Sequence, residues 1–184
     1  MHVFLCEKPS QGKDVARVLG ATGRGAGCIR GQSVVVTWGI GHLLEQAPPE
    51  AYDPQLKSWS LDALSILPAS WKVEVKPKTS SRFKLVKAVL KEATDADREG
   101  EMIARERLEH CGYRGPIQRL WLSALNDASI SQALASLKPG AETFSIYHSA
   151  LARSRADWLI GMNFTRLFTL LGRQAGYSGV LSVG

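Results

Sequence analysis

His2-Val3-Phe4-Leu5-Cys6-Glu7-Lys8-Pro9-Ser10 is the stretch on which the fold class turns. An apolar, strand-forming run from His2 to Cys6 stops at a charged pair and a proline. Pro9 has no N–H to give a central strand, Ser10 can cap a helix, and Val15, Val18 and Leu19 recur at helical spacing. A buried strand that turns directly into a helix is the opening half of a βα unit. Working outward, Gly20 to Gly31 reads as a glycine-rich loop and Ser33–Trp38 as a second buried strand, followed by the turn Gly39-Ile40-Gly41-His42. Residues 46 to 81 hold Pro48, Pro49, Pro54, Pro68 and Pro77 and read as an irregular excursion around a short strand, Trp71–Val75. Phe83, Val86, Val89 and Leu90 predict an amphipathic helix over 82–93. Gln118–Ser123 reads as a strand, and Asn126 or Asp127 caps a helix through Leu137 that Lys138-Pro139-Gly140 ends. One long helical pattern then runs from about Ser145 to Leu171, closed by Gly172. The expectation is an α/β domain followed, from about residue 124, by an all-helical part.

Composition narrows the class without naming a chemistry. The 184 residues are 45% hydrophobic and carry a formal net charge of +6, which favours a polyanionic partner. Cys6, Cys28 and Cys111 form no CxxC pair and cannot all pair with one another, which argues for a reducing, cytoplasmic compartment and against a zinc site. No apolar run is long enough for a membrane span, and no basic-then-apolar leader opens the chain.

Two constellations could carry chemistry. In Asp95-Ala96-Asp97-Arg98-Glu99-Gly100-Glu101 the carboxylates alternate, so an extended segment points Asp95, Asp97 and Glu99 to one side. Convergent carboxylates need a cation, and hard oxygen donors suit Mg²⁺. A solvated acidic helix start is the plain alternative. A calcium loop is another: Asp95, Asp97, Glu99, Gly100 and Glu106 nearly fit its spacing, with Glu99 the mismatch. In the long helix, at about 100° per residue from Leu159, Ile160, Phe164, Leu167, Phe168 and Leu171 fall between about 80° and 180°. Arg155, Trp158, Arg166, Thr169 and Arg173 fall between about 260° and 340° on the same count. The apolar side is expected to be core. The opposite side is either a solvated basic stripe or a nucleic-acid face, where arginines hold phosphates and an exposed indole stacks on a base.

Four segments, in order, closely resemble the N-terminal part of a type IA DNA topoisomerase of the topoisomerase III kind. They are Glu7-Lys8-Pro9-Ser10; Thr37-Trp38-Gly39-Ile40-Gly41-His42-Leu43-Leu44, trailed by Ala47–Asp53; Asp95–Glu101; and Ser149–Leu159 running on to Gly161-Met162-Asn163, Thr165-Arg166 and the final Gly179–Gly184. The resemblance covers essentially the whole chain. It implies an α/β Toprim (Rossmann-like) parallel-sheet domain over 1–123, then over 124–184 the first helices of an all-helical DNA-binding domain, cut short. It further implies relaxation or decatenation of DNA by transient single-strand cleavage and religation with Mg²⁺, without a nucleotide cofactor, by a monomer acting on single-stranded regions. Glu7 then matches a general acid that also helps hold metal, and Lys8 a phosphate-binding lysine. Asp95 and Asp97, with Glu99 in a lesser role, match the Mg²⁺ ligands. Trp158, Arg166 and Arg173 match positions that grip single-stranded DNA. Arg155, Ser182, Val183 and Gly184 join them, with Trp59 a weaker member, while His42 is expected to fix a turn.

The sequence departs from that pattern twice. Tyr52, Tyr113, Tyr147 and Tyr177 all lie outside the Tyr-Pro-Arg context of the family's nucleophile, so the chain is expected to lack the cleaving tyrosine. The family also places an apolar strand ahead of the acidic cluster, whereas here Lys91-Glu92-Ala93 joins Thr94-Asp95 directly, about one strand length short. A single-stranded-DNA-binding module without catalysis and a Toprim-type metal-dependent nuclease are the rival readings.

Overall fold

A computed structural model of the chain describes residues 1–92, 105, 108–113 and 115–183. Its contacts form two compact units that interleave in sequence: Met1–Leu44 with Val75–His148, and Glu45–Glu74 with Ser149–Gly184.

The first unit is built on a four-stranded sheet in the order β1 (His2–Cys6), β4 (Val34–Trp38), β3 (Cys28–Arg30), β2 (Gly23–Gly25). β1 and β4 run parallel, with His2 opposite Val34 and Cys6 opposite Trp38, and the remaining pairs are antiparallel. Val3 to Cys6 and Val35 to Thr37 are buried on both faces of their strands, the pattern of a covered parallel pair. One face packs Phe4, Cys6 and Val36 against Val15 and Ala16 of α1 (Pro9–Val18), Ile130 and Ala133 of α3 (Asp127–Ala135), and Leu120. The other face carries Thr37 and meets α2 (Ser80–Glu92), whose Arg82 reaches Thr37 Oγ1 at 3.3 Å. The expected α/β arrangement with a parallel strand pair at its core is therefore present.

Local chemistry explains the element ends, and several differ from the sequence expectation. α1 starts two residues earlier than a Ser10 cap requires. Lys8 is the cap, with φ −127° and ψ 153°, and Pro9 takes the first helical position, where its missing N–H costs nothing. The glycine-rich loop is a hairpin of β2 and β3. Gly27 supplies the turn at φ +71°, and a Cβ on Gly25 would lie 2.6 Å from Cys28 Sγ, so glycine permits the close strand approach. The strand expected over Gln118–Ser123 shrinks to β7 (Gln118–Arg119), which pairs antiparallel with β8 (Lys138–Pro139) rather than joining the main sheet. Lys138-Pro139 thus forms a strand rather than the end of a helix. Asn126 caps α3 as expected, its side chain accepting from Ser129 N at 2.8 Å, but the helix stops at Ala135.

The second unit packs the excursion after β5 (Leu44–Gln46), whose partner is β6 (Val73–Val75), and the greater part of α4 (Phe144–Gln174). α4 continues through Gly172, and Gly176 at φ +89° sits beyond its end. Gly172 is there for closeness: a Cβ would lie 3.0 Å from Leu181 Cδ1. No helix among the described residues is long and apolar enough to cross a membrane.

Candidate functional site

In the first unit the carboxyl ends of β1 and β4 lie side by side, and Gly39 N donates to Cys6 O at 2.8 Å. In parallel sheets this edge is where ligands settle, because loops diverge there and helix N-termini point at it. Glu7 and Lys8 leave β1 at this edge, beside the Gly39-Ile40-Gly41-His42 turn leaving β4. Glu7 N donates to Gln11 Oε1 at 3.0 Å, which ties the residue to the first turn of α1. Its carboxylate lies 3.6 Å from Lys8 Nζ, and the side chains of Lys8 and Glu7 are 67% and 42% exposed. The pair is therefore open to a ligand. In the turn, Gly41 takes φ +81° and His42 is exposed.

Two supports of this edge carry no pattern that sequence reasoning used. A Cβ on Gly12 would lie 2.7 Å from Trp38 Cε3, so glycine lets the first turn of α1 seat on the end of β4. Arg82 donates from Nε to Trp38 O at 2.6 Å and from Nη2 to Gly27 O at 3.0 Å, with its guanidinium 4.9 Å from the Trp38 ring centre. Burial pushes the Arg82 guanidinium down from its ordinary value, opposed by Cys28. It remains a cation, its ordinary value being far above neutrality. Arg82 thereby locks the backbone from which the Gly39 turn springs.

Asp95, Asp97 and Glu99, and with them the calcium-loop alternative and the Ala93–Thr94 junction, lie outside the described residues. Among the described residues no group of three His, Cys, Asp or Glu side chains is placed to hold a metal ion. Glu7, the described member of that expected set, offers an accessible carboxylate oxygen, the donor chemistry that a hard cation takes.

In the second unit the two faces of α4 are opposite to expectation. Trp158 is 8% exposed and Arg166 5%, whereas Ile160, Phe164, Phe168 and Leu171 are 43–50% exposed. Trp158 Nε1 donates to Ala47 O at 3.1 Å, and the indole sits edge-on to Tyr52 and Trp71 at 5.8 and 5.5 Å. Arg166 Nη1 donates to Leu56 O at 2.8 Å and its guanidinium lies 5.3 Å from the half-buried Trp59 ring. Arg155 lies 5.2 Å from the Trp71 ring. Burial pushes the Arg166 guanidinium down, and Glu50 opposes the shift. The reason for the inversion is the excursion between β5 and β6. It brings three aromatic rings and bare backbone carbonyls to the polar face of α4, so that face has partners within the unit. Trp158 is accordingly a buried anchor rather than an exposed stacking platform.

Thr165 and Thr169, one turn apart, accept from Val183 N and Leu181 N, each at 2.9 Å, and so lay the 181–183 segment along α4. Val183 thus joins the neighbourhood of the helix. Gly184 lies outside the described residues, and Arg173 is exposed near the helix end.

The Toprim domain profile matches residues 2–125. The chain belongs to the Toprim family. It is 43% identical over 195 positions to DNA topoisomerase 3 of Vibrio cholerae, covering 100% of this chain and 30% of that protein. It is 43% identical over 175 positions to DNA topoisomerase 3 of Bacillus subtilis, covering 91% and 24%. Full-length topoisomerase I from Thermotoga maritima shares the fold, with a TM-score of 0.61 at 15% identity over 90% of this chain and 26% of that one. The Toprim chain therefore spans less than a third of the curated relatives it matches. The Vibrio alignment also exceeds the 184 residues by 11 positions, so the relative holds residues with no counterpart here.

Proposed function

We propose that this Toprim chain is the N-terminal part of a topoisomerase III-like enzyme, which relaxes or decatenates DNA by transient cleavage and religation of one strand. The observation that carries the reading is the Glu7-Lys8 pair, open at the carboxyl ends of two parallel strands, in a chain 43% identical to DNA topoisomerase 3 of Vibrio cholerae. Residues 1–123 would be the Toprim domain and 124–184 the start of the DNA-binding domain. The protein would act as a cytoplasmic monomer without a nucleotide cofactor.

Glu7, Asp95, Asp97 and Glu99 would hold Mg²⁺, which when bound neutralises charge on the scissile phosphate. Lys8 holds a phosphate oxygen as a compact cation. Glu7 would give its proton to the leaving 3′ oxygen as a tyrosine oxygen, its own proton lost to water, forms the bond to phosphorus. On religation the 3′ hydroxyl returns its proton to Glu7 and the released tyrosine oxygen is reprotonated from water. Tyr52, Tyr113, Tyr147 and Tyr177 are not offered as that nucleophile: Tyr147 is buried, and Tyr52 packs on Trp158 while accepting from Lys72 N at 3.0 Å. The nucleophile would come from further polypeptide. On the helical side, exposed Arg173, half-buried Arg155 and Trp59, and the 182–184 segment would meet single-stranded DNA, with Trp158 and Arg166 holding the shape beneath them.

The test mixes the chain with a fragment spanning the rest of the Vibrio cholerae relative, negatively supercoiled DNA and Mg²⁺. Relaxation that needs both polypeptides and the metal, and is lost in Glu7→Gln while DNA binding persists, is the expected result. Cutting by the chain alone would identify a nuclease, and binding with no relaxation under any combination would leave only a binding module.

A further inference from the structure

The β7–β8 ribbon of the first unit places two cations opposite one another. Arg119 is directly across from Lys138 in the antiparallel register, an arrangement that repulsion disfavours. Both also lie 5.4 Å from the centre of one ring, that of Trp121, which is 50% exposed. The ring's negative face offsets the repulsion and holds both side chains at one spot. Below them the ribbon is stiff: Gly140 N donates to Ile117 O at 2.8 Å, and a Cβ on Gly140 would lie 2.8 Å from the same oxygen. Leu120, between Arg119 and Trp121, is 3% exposed and belongs to the core cluster, so the outward direction of its neighbours is set by the core.

We infer that Arg119, Trp121 and Lys138 form a second contact for single-stranded DNA, with the two cations on phosphate oxygens and the open part of the indole against a base. The inference rests on the reading of the chain as a single-stranded-DNA binder and adds a site on a different element from α4. Two fixed cations answer the charge of a phosphodiester backbone. An aromatic surface beside them answers a base in a way that no acidic peptide would use. Trp121 has two parts in this contact: it gathers the two cations and offers its open surface to a base.

The experiment measures binding of a fluorescent oligo-dT by anisotropy across a salt series, using the 184-residue chain and variants whose far-ultraviolet circular dichroism matches it. Lys138→Gln and Arg119→Gln should each lower the salt slope by about 0.7, the increment of one phosphate contact on a single strand. Trp121→Ala should weaken binding about tenfold, and Trp121→Phe, which keeps a ring, should recover most of the loss. Lys13→Gln, exposed on α1, should leave the slope unchanged. Wild-type binding with unaltered slopes in both cation variants would overturn this site while leaving the reading of the chain intact. Absence of wild-type binding at low salt would overturn the reading itself and this site with it.

Discussion

Replacing Trp158 with alanine separates an anchor from a DNA contact. The indole is 8% exposed, donates to Ala47 O and meets the rings of Tyr52 and Trp71 edge-on, so truncation removes three interactions at once. Large-to-small substitution at a buried tryptophan costs about 3–5 kcal/mol. The stranded Ala47 carbonyl adds a desolvation penalty of about 1–3 kcal/mol unless water reaches it. Edge-to-face pairs contribute about 0.5–1.5 kcal/mol each beyond area burial, which places Trp158→Ala at the upper end, about 5 kcal/mol. Against a total of about 5–15 kcal/mol for a natural domain, that is at least a third of the margin. In urea, with a slope of about 2 kcal/mol/M, the transition should move down by about 2.5 M. Trp158→Phe keeps the ring packing and loses the donor, so its shift should be less than half as large. The assay is urea denaturation followed by tryptophan fluorescence and circular dichroism. A Trp158→Ala chain that unfolds at the wild-type midpoint while losing DNA binding would refute the anchor and restore the exposed-platform expectation.

Two further outcomes follow from the same geometry. Arg82→Met keeps the aliphatic stem but leaves Trp38 O, Gly27 O and Thr37 Oγ1 without its donors. It should cost about 3 kcal/mol and lower the melting temperature by about 6–12 °C, with Arg82→Lys recovering part; a change under about 0.5 kcal/mol would refute the lock. Asn126→Ala removes the acceptor for Ser129 N and should cost about 1 kcal/mol, with Asn126→Asp near neutral, read by thermal melting and by faster hydrogen exchange at the Ser129 amide.

Elements whose reasons are local were legible. His2–Cys6 is a strand because its residues are apolar or β-prone and Pro9 ends it, and the structure gives β1 those same bounds. The 82–93 periodicity corresponds to α2, and the Asn126 cap needs only its own side chain and an amide three residues on. The glycine-rich segment misled because glycine lowers strand propensity, yet there it allows Gly25 to meet Cys28 and Gly27 to turn. Gln118–Ser123 misled in the other direction. Its alternation is real, with Leu120 and Leu122 inward, but hydrogen-bond pairing depends on a partner that periodicity does not name. At the sheet edge Glu7 and Lys8 were found from their motif, whereas Gly12 and Arg82, which support the edge, have meaning only against Trp38.

By itself the sequence determined the family, the two buried parallel strands and the position of the Glu7-Lys8 pair at the end of the first. It also determined that α4 has one apolar and one arginine-bearing face, because side-chain order on a helix follows from its 3.6-residue turn. Tertiary structure decided which of those faces is covered. An amphipathic pattern states a difference between two faces, and the free energy of burying either depends on what the rest of the chain brings to it. Here the segment between β5 and β6 brings Tyr52, Trp59 and Trp71 with the carbonyls of Ala47 and Leu56, so Trp158 and Arg166 go inside, each donating to one of those carbonyls, and Ile160, Phe164 and Phe168 remain exposed.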